Sequence, residues 1–443
     1  MTASLYVHIP FCKQKCNYCD FVSYAGKENF IDEYVETMIR EFESRCSVLY
    51  VPCSTVFFGG GTPTLLEPKH FDKILSTFIS HSSLVISHSE ISIEANPGTA
   101  GKAKLKALRQ LGINRLSIGV QSFNDRQLKT LGRIHDSATA KRFYQDARDA
   151  GFDNINLDLI FALPGQTLAE WKRDLATAIA LKPEHLSTYN LQIEEGTPFW
   201  ERFKEPSPAA ANRRTLSQRE RVMSQADLQN TFSPPHPLTQ SVPPLPEGEG
   251  TSPLIPVCAT PSPFGRRCAS LAHWMRGEKV HSSGRADEGL SLPSEDEELA
   301  MYEYAIEELA AHGYKHYEIS NFAKPGYECQ HNLVYWRNEN YLGIGAGAHS
   351  HVNGQRWSNP NCIEKYLETA TFSRRFPGST ADQRETIFLG LRLLDGLSIK
   401  KFKGFEAQVA ELIKDGLLTE EKGNYKLTRQ GLYLGNLVFE KFV

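Results

Sequence analysis

Short apolar runs alternate with amphipathic stretches over the first 200 residues of the chain. The runs are rich in β-branched and aromatic residues and predict six strands, at residues 5–9, 55–59, 90–95, 115–121, 155–162 and 186–192. The stretches between them repeat apolar residues at helical spacing and predict helices at 30–44, 69–81, 101–111, 137–150 and 167–181. Such alternation is typical of right-handed βαβ units and a parallel sheet. Six units are too few for a closed eight-fold barrel, so we expect an open partial barrel, with a doubly wound sheet as the alternative.

Residues 206–293 interrupt this pattern and show neither a helical nor a strand period. They hold 13 of the 24 prolines of the chain, in runs such as Ser-Pro-Pro-His-Pro and Val-Pro-Pro-Leu-Pro. A segment of this composition cannot bury enough apolar surface to offset the entropy lost on ordering it. We therefore predict a disordered insertion, with a proline-rich ligand for a partner domain as the alternative.

Regular patterns resume at Ser294, which is followed three residues later by a capping-box glutamate, Glu297. We predict that residues 1–205 form a partial barrel, that 294–380 complete it, and that 381–443 form a small separate domain. The predicted elements of that domain are helices at 382–395 and 404–415, a hairpin at 417–420 and 424–428, and a final helix through Val443. This order is typical of an α+β winged-helix-like shape, for which the few basic residues favour packing or a lid over DNA binding.

The composition disfavours several classes of protein. The 443 residues carry a net charge of −3 with a pI near 6.5, so we expect no nucleic-acid partner and no strong attraction to an anionic membrane. No apolar run approaches the roughly 20 residues of a transmembrane segment, which leaves at most a transient membrane association. The first residues lead into a strand without the features of a secretory signal. We therefore expect a cytoplasmic protein, in which clustered cysteines favour metal over disulfide.

Three cysteines follow the first predicted strand within eight residues of one another. Pro10 ends the strand because proline donates no ladder hydrogen bond, and Cys12, Cys16 and Cys19 lie on the loop after it. In a βα barrel the loops at the carboxyl ends of the strands carry the chemistry. Three thiolates suit an iron–sulfur cube with one iron left open. A structural zinc site with a further ligand from elsewhere, and a disulfide, are the alternatives.

The Cys-x3-Cys-x2-Cys spacing, after the sequence Tyr-x-His-Ile-Pro-Phe of residues 6–11, resembles the radical S-adenosylmethionine (SAM) superfamily. More narrowly, it resembles the oxygen-independent coproporphyrinogen-III oxidase family, which includes the HemW-like haem chaperone branch. The resemblance covers residues 1–205 and 294–443. It implies a partial (β/α)6 radical-SAM barrel, a 4Fe–4S cluster held by the three cysteines, and S-adenosyl-L-methionine as a cofactor.

Several polar residues at the ends of later strands resemble the SAM contacts of that family. Gly60, Gly61 and Thr62 follow the second strand, and glycine lets the backbone approach a ligand closely. Glu94 lies in an otherwise apolar strand, where a carboxylate is costly unless paired, so a buried salt bridge is its other interpretation. The resemblance implies that these side chains also contact SAM: Tyr6, Glu94, Gln121, Arg133 and Asp158. It places the fork-shaped donor Arg133 on the methionine carboxylate.

A later segment, His331-Asn332-Leu333-Val334-Tyr335-Trp336, resembles the haem-binding motif of the haem chaperone branch. Imidazole is a usual axial ligand of haem iron, and flat aromatic rings suit a porphyrin face. We therefore predict His331 as a haem contact, with His349 and His351 as competing ligands. On residue types alone, a satisfied core pair of His331 and Trp336 is the more usual arrangement.

Two departures separate the chain from the oxidases of the family. Phe21 stands where the oxidases carry a fourth cysteine, and five residues precede Tyr6, where the oxidases carry an N-terminal extension over the active site. We therefore predict a chaperone that binds haem and passes it to apo-haemoproteins. The cluster then serves assembly, such as a homodimer, more than catalysis. A coproporphyrinogen-III oxidase is the alternative, and a zinc-stabilised binding protein is the alternative of another class.

Overall fold

The computed structural model describes residues 3–46, 53–81, 89–203, 290–369 and 383–442. The strands of these ranges are β1 (Ala3–Ile9), β2 (Phe11–Cys12), β3 (Tyr24–Ala25), β4 (Cys53–Gly60), β5 (Glu90–Ala95), β6 (Arg115–Gln121), β7 (Ile155–Phe161), β8 (His185–Asn190), β9 (Lys315–Glu318), β10 (Asn321–Ala323), β11 (Tyr341–Ile344), β12 (His349–Val352), β13 (Gln355–Ser358), β14 (Leu397–Ser398), β15 (Leu418–Glu421) and β16 (Asn424–Leu427). The α-helices are α1 (Ile31–Arg45), α2 (Pro68–His81), α3 (Lys102–Gln110), α4 (Asp125–Thr130), α5 (Ser137–Asp149), α6 (Leu168–Ala180), α7 (Pro198–Phe203), α8 (Glu295–Ala311), α9 (Gln330–Trp336), α10 (Ile363–Leu367), α11 (Gln383–Gly390), α12 (Glu406–Lys414), α13 (Arg429–Tyr433) and α14 (Gly435–Glu440). None of these helices is long and apolar enough to span a membrane.

The sheet is an open partial barrel. Strands β1, β4, β5, β6, β7 and β8 stand side by side in chain order and run parallel. On one edge β11 pairs parallel with β1 and leads into the antiparallel β12 and β13. On the other edge β10 and β9 pair antiparallel beyond β8. Among the described residues the two outermost strands do not pair with each other, so the six predicted parallel strands and the open barrel are confirmed.

Strict alternation along the parallel strands makes one face of the sheet apolar and the other polar. On β6, Leu116, Ile118 and Val120 lie in the main hydrophobic core together with residues of the surrounding helices. The intervening Arg115 and Ser117 line a cavity on the opposite face. Successive side chains of a strand point to opposite faces, and strands of a parallel sheet covered on both faces normally read as continuous apolar runs. The polar residues therefore mark the inside of the barrel as a ligand cavity.

Residues 383–442 have a hydrophobic core of their own, which includes Ile387, Val409, Leu418 and Phe439. Strands β14, β16 and β15 form a three-stranded sheet in this part of the chain. The hairpin and the helix predicted at 404–415 are present as β15–β16 and α12.

Two predicted helices near the C-terminus are wrong in extent. The helix expected at 382–395 ends at Gly390. A Cβ atom at this position would lie 2.8 Å from the Leu397 side chain, and three residues later Leu393 forms an antiparallel β-bridge with Glu318. The final helix is two short helices, because helical geometry breaks at Leu434. The insertion predicted at 206–293 lies outside the described residues except for its last four, and the domain boundaries stay predictions.

The C-terminal part of the chain contacts the outer side of α9. The Arg392 guanidinium lies 4.2 Å from the centre of the Trp336 ring and 3.6 Å from the carboxylate of Glu318. Asn338, just after α9, donates to the Thr386 hydroxyl at 2.9 Å. Helix α9 is therefore packed between the barrel and the C-terminal part.

Candidate cofactor site

The three cysteines predicted to bind metal lie together at the mouth of the barrel. Cys12 is buried in β2, whereas Cys16 and Cys19 are half-buried on the following loop. The Cys19 N–H closes a turn onto the Cys16 carbonyl at 3.2 Å. All three are free thiols and line one cavity of about 280 Å³.

The far side of the cysteine loop is fixed to the barrel through Asn17. Its N–H donates to the Leu131 carbonyl at 3.0 Å, and its Nδ2 donates to the Thr130 carbonyl at 2.9 Å. Its own carbonyl accepts from the N–H of Phe199 at 2.9 Å. These bonds hold the loop over the carboxyl ends of the strands, where β/α barrels place their chemistry.

The surroundings of the thiols fit a metal cluster. Burial raises the pKa of Cys12 and raises that of Cys19 to about 11, so metal binding must displace their protons. Arg133 Nη1 lies 3.4 Å from Cys16 Sγ and brings a positive charge to the loop. Within the described ranges, no three Cys, His, Asp or Glu side chains converge closely enough to hold one metal ion, as a zinc site requires. A four-iron cluster instead distributes its thiolates over separate irons.

The glycine turn after β4 packs directly against the cysteine loop. The N–H groups of Gly61 and Thr62 donate to the carbonyls of Ile9 and Phe11, both at 2.8 Å. A Cβ atom on Gly61 would lie 2.7 Å from the Phe11 carbonyl oxygen and 3.0 Å from Cys12 Sγ. The absence of a side chain therefore allows the turn and the first cysteine to meet.

Gly60 is the most constrained position of this turn, and we expect Gly60→Ala to destabilise the protein by about 1–3 kcal/mol. Its φ is 112°, and a Cβ atom would lie 2.5 Å from the His8 ring. Urea unfolding of the apoprotein measures the effect. Gly101→Ala is the matched control, because a Cβ atom there meets nothing within 4 Å. Equal stability of the two variants would contradict this account of the turn.

Glu94 braces the glycine turn from the neighbouring strand. Its Oε2 accepts from the Gly60 N–H at 3.0 Å, and the half-buried carboxylate lines the cavity. The structure therefore places Glu94 beside Gly60, Gly61 and Thr62, as the SAM prediction requires.

Asn96, which the sequence analysis missed, connects the glycine turn to Arg133. Its Nδ2 donates to Thr62 Oγ1 at 2.7 Å, and that hydroxyl donates to Cys12 Sγ at 3.5 Å. Its Oδ1 accepts from Arg133 Nη2, which also donates to the Gly119 carbonyl at 2.6 Å. Thr62 and Arg133, two of the predicted SAM-binding residues, thus both bond to the side-chain amide of Asn96. Thr62 also contacts Cys12, and Arg133 contacts Cys16.

Tyr6 and Gln121 also lie in the cavity wall. His8 Nε2 lies 2.7 Å from the Val22 carbonyl, so its Nδ1 accepts the hydrogen bond from the Tyr6 hydroxyl at 3.0 Å. Gln121 ends β6 with a φ of 68°, at a shift in the β6–β7 register. A non-glycine residue held in this region of φ marks a position where the surrounding structure overrides local strain.

Asp158 lies deeper on the inner face of β7. Its carboxylate accepts from Ser117 Oγ at 3.1 Å and from Asn156 Nδ2 at 2.9 Å, and burial raises its pKa. It faces the same cavity as Glu94 and Arg133. The structure thus brings together every predicted metal and SAM residue, while the contacts to SAM themselves stay predictions.

His331 lies fully buried in α9, at the opposite end of the cavity from the cysteines. Its Nδ1 bonds to the Thr55 hydroxyl at 2.7 Å and its Nε2 to the Tyr335 hydroxyl at 2.8 Å. Since Thr55 donates to Ser4, Nδ1 is the donor and Nε2 the acceptor. Burial lowers the pKa of His331 to about 3. These contacts match the alternative in which His331 is a core histidine with both ring nitrogens hydrogen-bonded. Ligation of haem iron by His331 stays a prediction.

His185, fully buried at the start of β8, is expected to make stability depend on pH. Its Nδ1 donates to Asn156 Oδ1 at 2.7 Å, its Nε2 accepts from Tyr317 at 2.8 Å, and burial lowers its pKa well below the ordinary 6.5. A neutral histidine in the folded state contributes stability above pH 6.5 that is lost as pH falls, because only the unfolded chain takes up the proton. The slope for one such group is about 1.4 kcal/mol per pH unit.

Urea unfolding of the apoprotein between pH 7.5 and pH 5.5 checks this expectation. A His185→Asn variant should show a shallower loss of stability than wild type over the same range, although it is less stable at pH 7.5. Parallel pH profiles would show that the imidazole is not the group that takes up the proton.

Comparison with known proteins assigns the chain to a family. Residues 6–178 match the Radical SAM superfamily and residues 380–434 match the HemN C-terminal domain. The protein called "Heme chaperone HemW" in Lactococcus lactis is 32% identical over 99% of this chain and 97% of that protein. Those of Bacillus subtilis and Escherichia coli are also 32% identical, over 99% of this chain and 99% and 98% of their own lengths. The chain belongs to the HemW family.

The HemW assignment agrees with the fold. The solved structure of the coproporphyrinogen III oxidase HemN from Escherichia coli, a radical SAM enzyme, covers 100% of this chain and 90% of that chain with a TM-score of 0.68. At 21% sequence identity, this similarity shows a shared fold only. The predicted radical SAM family and its haem chaperone branch are therefore confirmed.

Asn96 and Arg115 are among the polar residues of this HemW-type cavity that the sequence analysis missed. Asn96 follows Glu94 by two positions, and Arg115 begins a strand whose alternate residues Ser117 and Gln121 are also polar. The period of two was the available signal, since all of these side chains line the cavity. The role of Glu90, which accepts the first N–H groups of α9, depends on a contact 240 residues away and had no local signal.

Proposed function

We propose that the protein is a haem chaperone, which binds haem together with a 4Fe–4S cluster and SAM and transfers haem to apo-haemoproteins. The observation that carries the proposal is the similarity over nearly the whole chain to proteins called heme chaperones in three bacterial genera. The likeness to the oxidase HemN is one of fold, and it does not favour oxidase activity.

The cysteine loop is the proposed cluster site. Cys12, Cys16 and Cys19 would hold three irons, and the bound cluster would supply a fourth iron with an open coordination position beside the cavity. Arg133 Nη1, 3.4 Å from Cys16 Sγ, and the Thr62 hydroxyl, 3.5 Å from Cys12 Sγ, would donate hydrogen bonds to these sulfurs in the cluster-bound protein.

The wall next to the loop is the proposed SAM site. The glycine turn offers backbone close to Cys12, while Glu94 offers carboxylate oxygens for the ribose hydroxyls or the methionine ammonium. Arg133, a fork donor between the loop and Asn96, is the proposed partner of the methionine carboxylate. The other proposed SAM contacts are Tyr6, Gly60, Gly61, Thr62, Gln121 and Asp158.

His331 is the proposed haem contact, and its ligation requires a local rearrangement. The Nε2 lone pair that would bind iron accepts from Tyr335 at 2.8 Å, so this hydroxyl must turn away first. Among the described residues the His349 ring makes no hydrogen bond, which keeps it a competing ligand. His351 bonds to the Glu339 carbonyl through Nδ1 at 3.1 Å. A cytoplasmic location, a homodimer and a transient membrane association stay predictions from the sequence.

Haem titration of anaerobically purified protein, followed by mixing with an apo-haemoprotein, tests the function. We expect saturable haem binding, seen as a shift of the Soret band, and movement of that band to the acceptor. His331→Ala should weaken binding, whereas His312→Ala, at an exposed position just after α8, should not. Equal binding by both variants would clear His331 of a ligand role. Sustained decarboxylation of coproporphyrinogen by the reduced protein with SAM would replace the chaperone by the oxidase.

A further inference from the structure

Arg115 is a charged side chain inside the barrel to which the proposed cofactor sites give no role. It is the first residue of β6, on the polar face of that strand, and it lines the cavity while only 2% of it is exposed. Transferring a guanidinium out of water is costly unless its donors are paired. A buried arginine at this position therefore needs an acceptor.

The described residues supply no such acceptor. No hydrogen bond from the Arg115 guanidinium to any described residue is found, and its Nε is buried without a partner. Four acidic groups act on its charge, Cys329, Glu90, Tyr317 and Asp158, and the carboxylates among them are Glu90 and Asp158. Their oxygens are already engaged by other donors, as the contacts of each show.

Glu90 is occupied by α9. Its Oε2 accepts from the N–H of Gln330 at 3.0 Å, and its Oε1 accepts from the N–H of His331 at 3.2 Å and from the Cys329 thiol at 3.5 Å. Carboxylates are stabilising at the N-terminal end of a helix for this reason. Glu90 therefore anchors α9 to the barrel and is no direct partner of Arg115.

Asp158 is occupied by neutral donors. Ser117 and Asn156 both donate to it, and burial raises its pKa, which weakens its value as a counter-ion. The N–H donors on the two terminal nitrogens of Arg115 thus have no acceptor among the described residues, and the side chain lines a cavity that also reaches the cysteine loop.

We propose that Arg115 binds a carboxylate of the ligand that enters the barrel, and that in the haem chaperone this group is a propionate of the tetrapyrrole. A guanidinium matches a carboxylate in shape and binds it through two parallel hydrogen bonds. The identity of the ligand rests on the proposed function, whereas the carboxylate subsite rests on the geometry alone.

The subsite is distinct from the one proposed at Arg133. Arg133 contacts the carbonyl of Gly119, four residues beyond Arg115 on β6, which at the rise of a strand is about 13 Å along the barrel. We therefore assign the two arginines to separate acidic groups. The methionine carboxylate is proposed for the end near the cysteines, so the floor needs another acidic group, next to His331.

A double-substitution cycle tests the subsite, with one change in the protein and one in the ligand. Wild type and Arg115→Gln are titrated with haem and with haem dimethyl ester, whose propionates carry no charge. We expect wild type to bind haem about 10- to 100-fold more tightly than the ester, as a charge-assisted pair predicts, and the variant to bind both alike. Arg115→Lys keeps the charge without the fork and should recover only part of the preference.

A second ligand pair identifies the source of the carboxylate. SAM and decarboxylated SAM are titrated into the same proteins, and a preference for SAM that disappears in Arg115→Gln would assign the subsite to the methionine carboxylate. Loss of neither preference in the variant would overturn the proposal. If wild type fails to bind haem at all, the proposed function fails, and the SAM pair alone decides the role of Arg115.

Arg356→Gln is the matched control for the loss of a buried arginine. Arg356 is 6% exposed and bonds to Glu385 at 2.7 Å, outside the cavity. It should leave both ligand preferences unchanged even where it lowers stability. Ligand preference in the folded fraction of each variant, measured alongside thermal unfolding, separates a binding role from a structural one.

Discussion

Cys16→Ser is expected to lose nearly all of the iron and acid-labile sulfide that the wild-type protein retains after anaerobic reconstitution. A serine hydroxyl is a poor ligand for the irons of a cluster, which require thiolates. The remaining two thiols, Cys12 and Cys19, cannot hold three irons. Cys12→Ser and Cys19→Ser should behave in the same way, and iron and sulfide analysis with the absorbance of the cluster measures all three.

Cys362→Ser is the control for these variants. Its Sγ lies 3.0 Å from Glu364 and it does not line the cavity, so its iron content should equal that of wild type. A wild-type protein that takes up one zinc per chain and no sulfide would contradict the cluster and restore the zinc alternative. Loss of iron in the control alone would place the metal elsewhere.

Glu41→Ala should lower the free energy of unfolding by about 3–5 kcal/mol, because it leaves buried polar partners without their shared acceptor. Glu41 is fully buried in α1, where it accepts from Tyr366 at 2.6 Å, from Asn359 at 2.7 Å and from the Gly345 N–H at 3.0 Å. It also pairs with Arg45. One carboxylate thus joins α1 to the turn after β11 and to α10.

Guanidinium chloride unfolding of the apoprotein measures this loss. Glu43→Ala, two residues along the same helix but exposed, should stay within about 0.5 kcal/mol of wild type. Glu41→Gln keeps the shape and should fall between the two. A Glu41→Ala protein as stable as Glu43→Ala would show that the partners find other acceptors.

The parallel core of the barrel was predictable because its signals are local. The six parallel strands and the five helices predicted between them are each encoded by a period within their own residues, and their predicted bounds differ from the observed ones by at most two residues. The short β2, β3 and α4 were not predicted. The short strands β9 to β13 carry no such period. Two of them, β11 and β10, join the sheet by pairing with β1 and β8, which lie more than 100 residues away, and such pairing leaves no mark on a local pattern.

The site was predictable to the extent that its residues sit at the ends of strands. Cysteines, glycines and a carboxylate in those places indicate chemistry, and the fold brings them together. The contact of His331 with Thr55 was not, because it joins α9 to a strand 276 residues away. Tyr335, its other partner, lies one turn further along the same helix. Arg115 was missed because its burial, rather than its residue type, makes it unusual.

Helix α9 has no independent position in this molecule. Backbone N–H groups of its first turn donate to the Glu90 carboxylate of the barrel. The ring of its last residue, Trp336, is covered by the Arg392 guanidinium of the C-terminal part. Because Glu90 fixes one end of α9 and Arg392 covers the other, the position of the seven residues that carry His331 depends on the barrel and on the C-terminal part together.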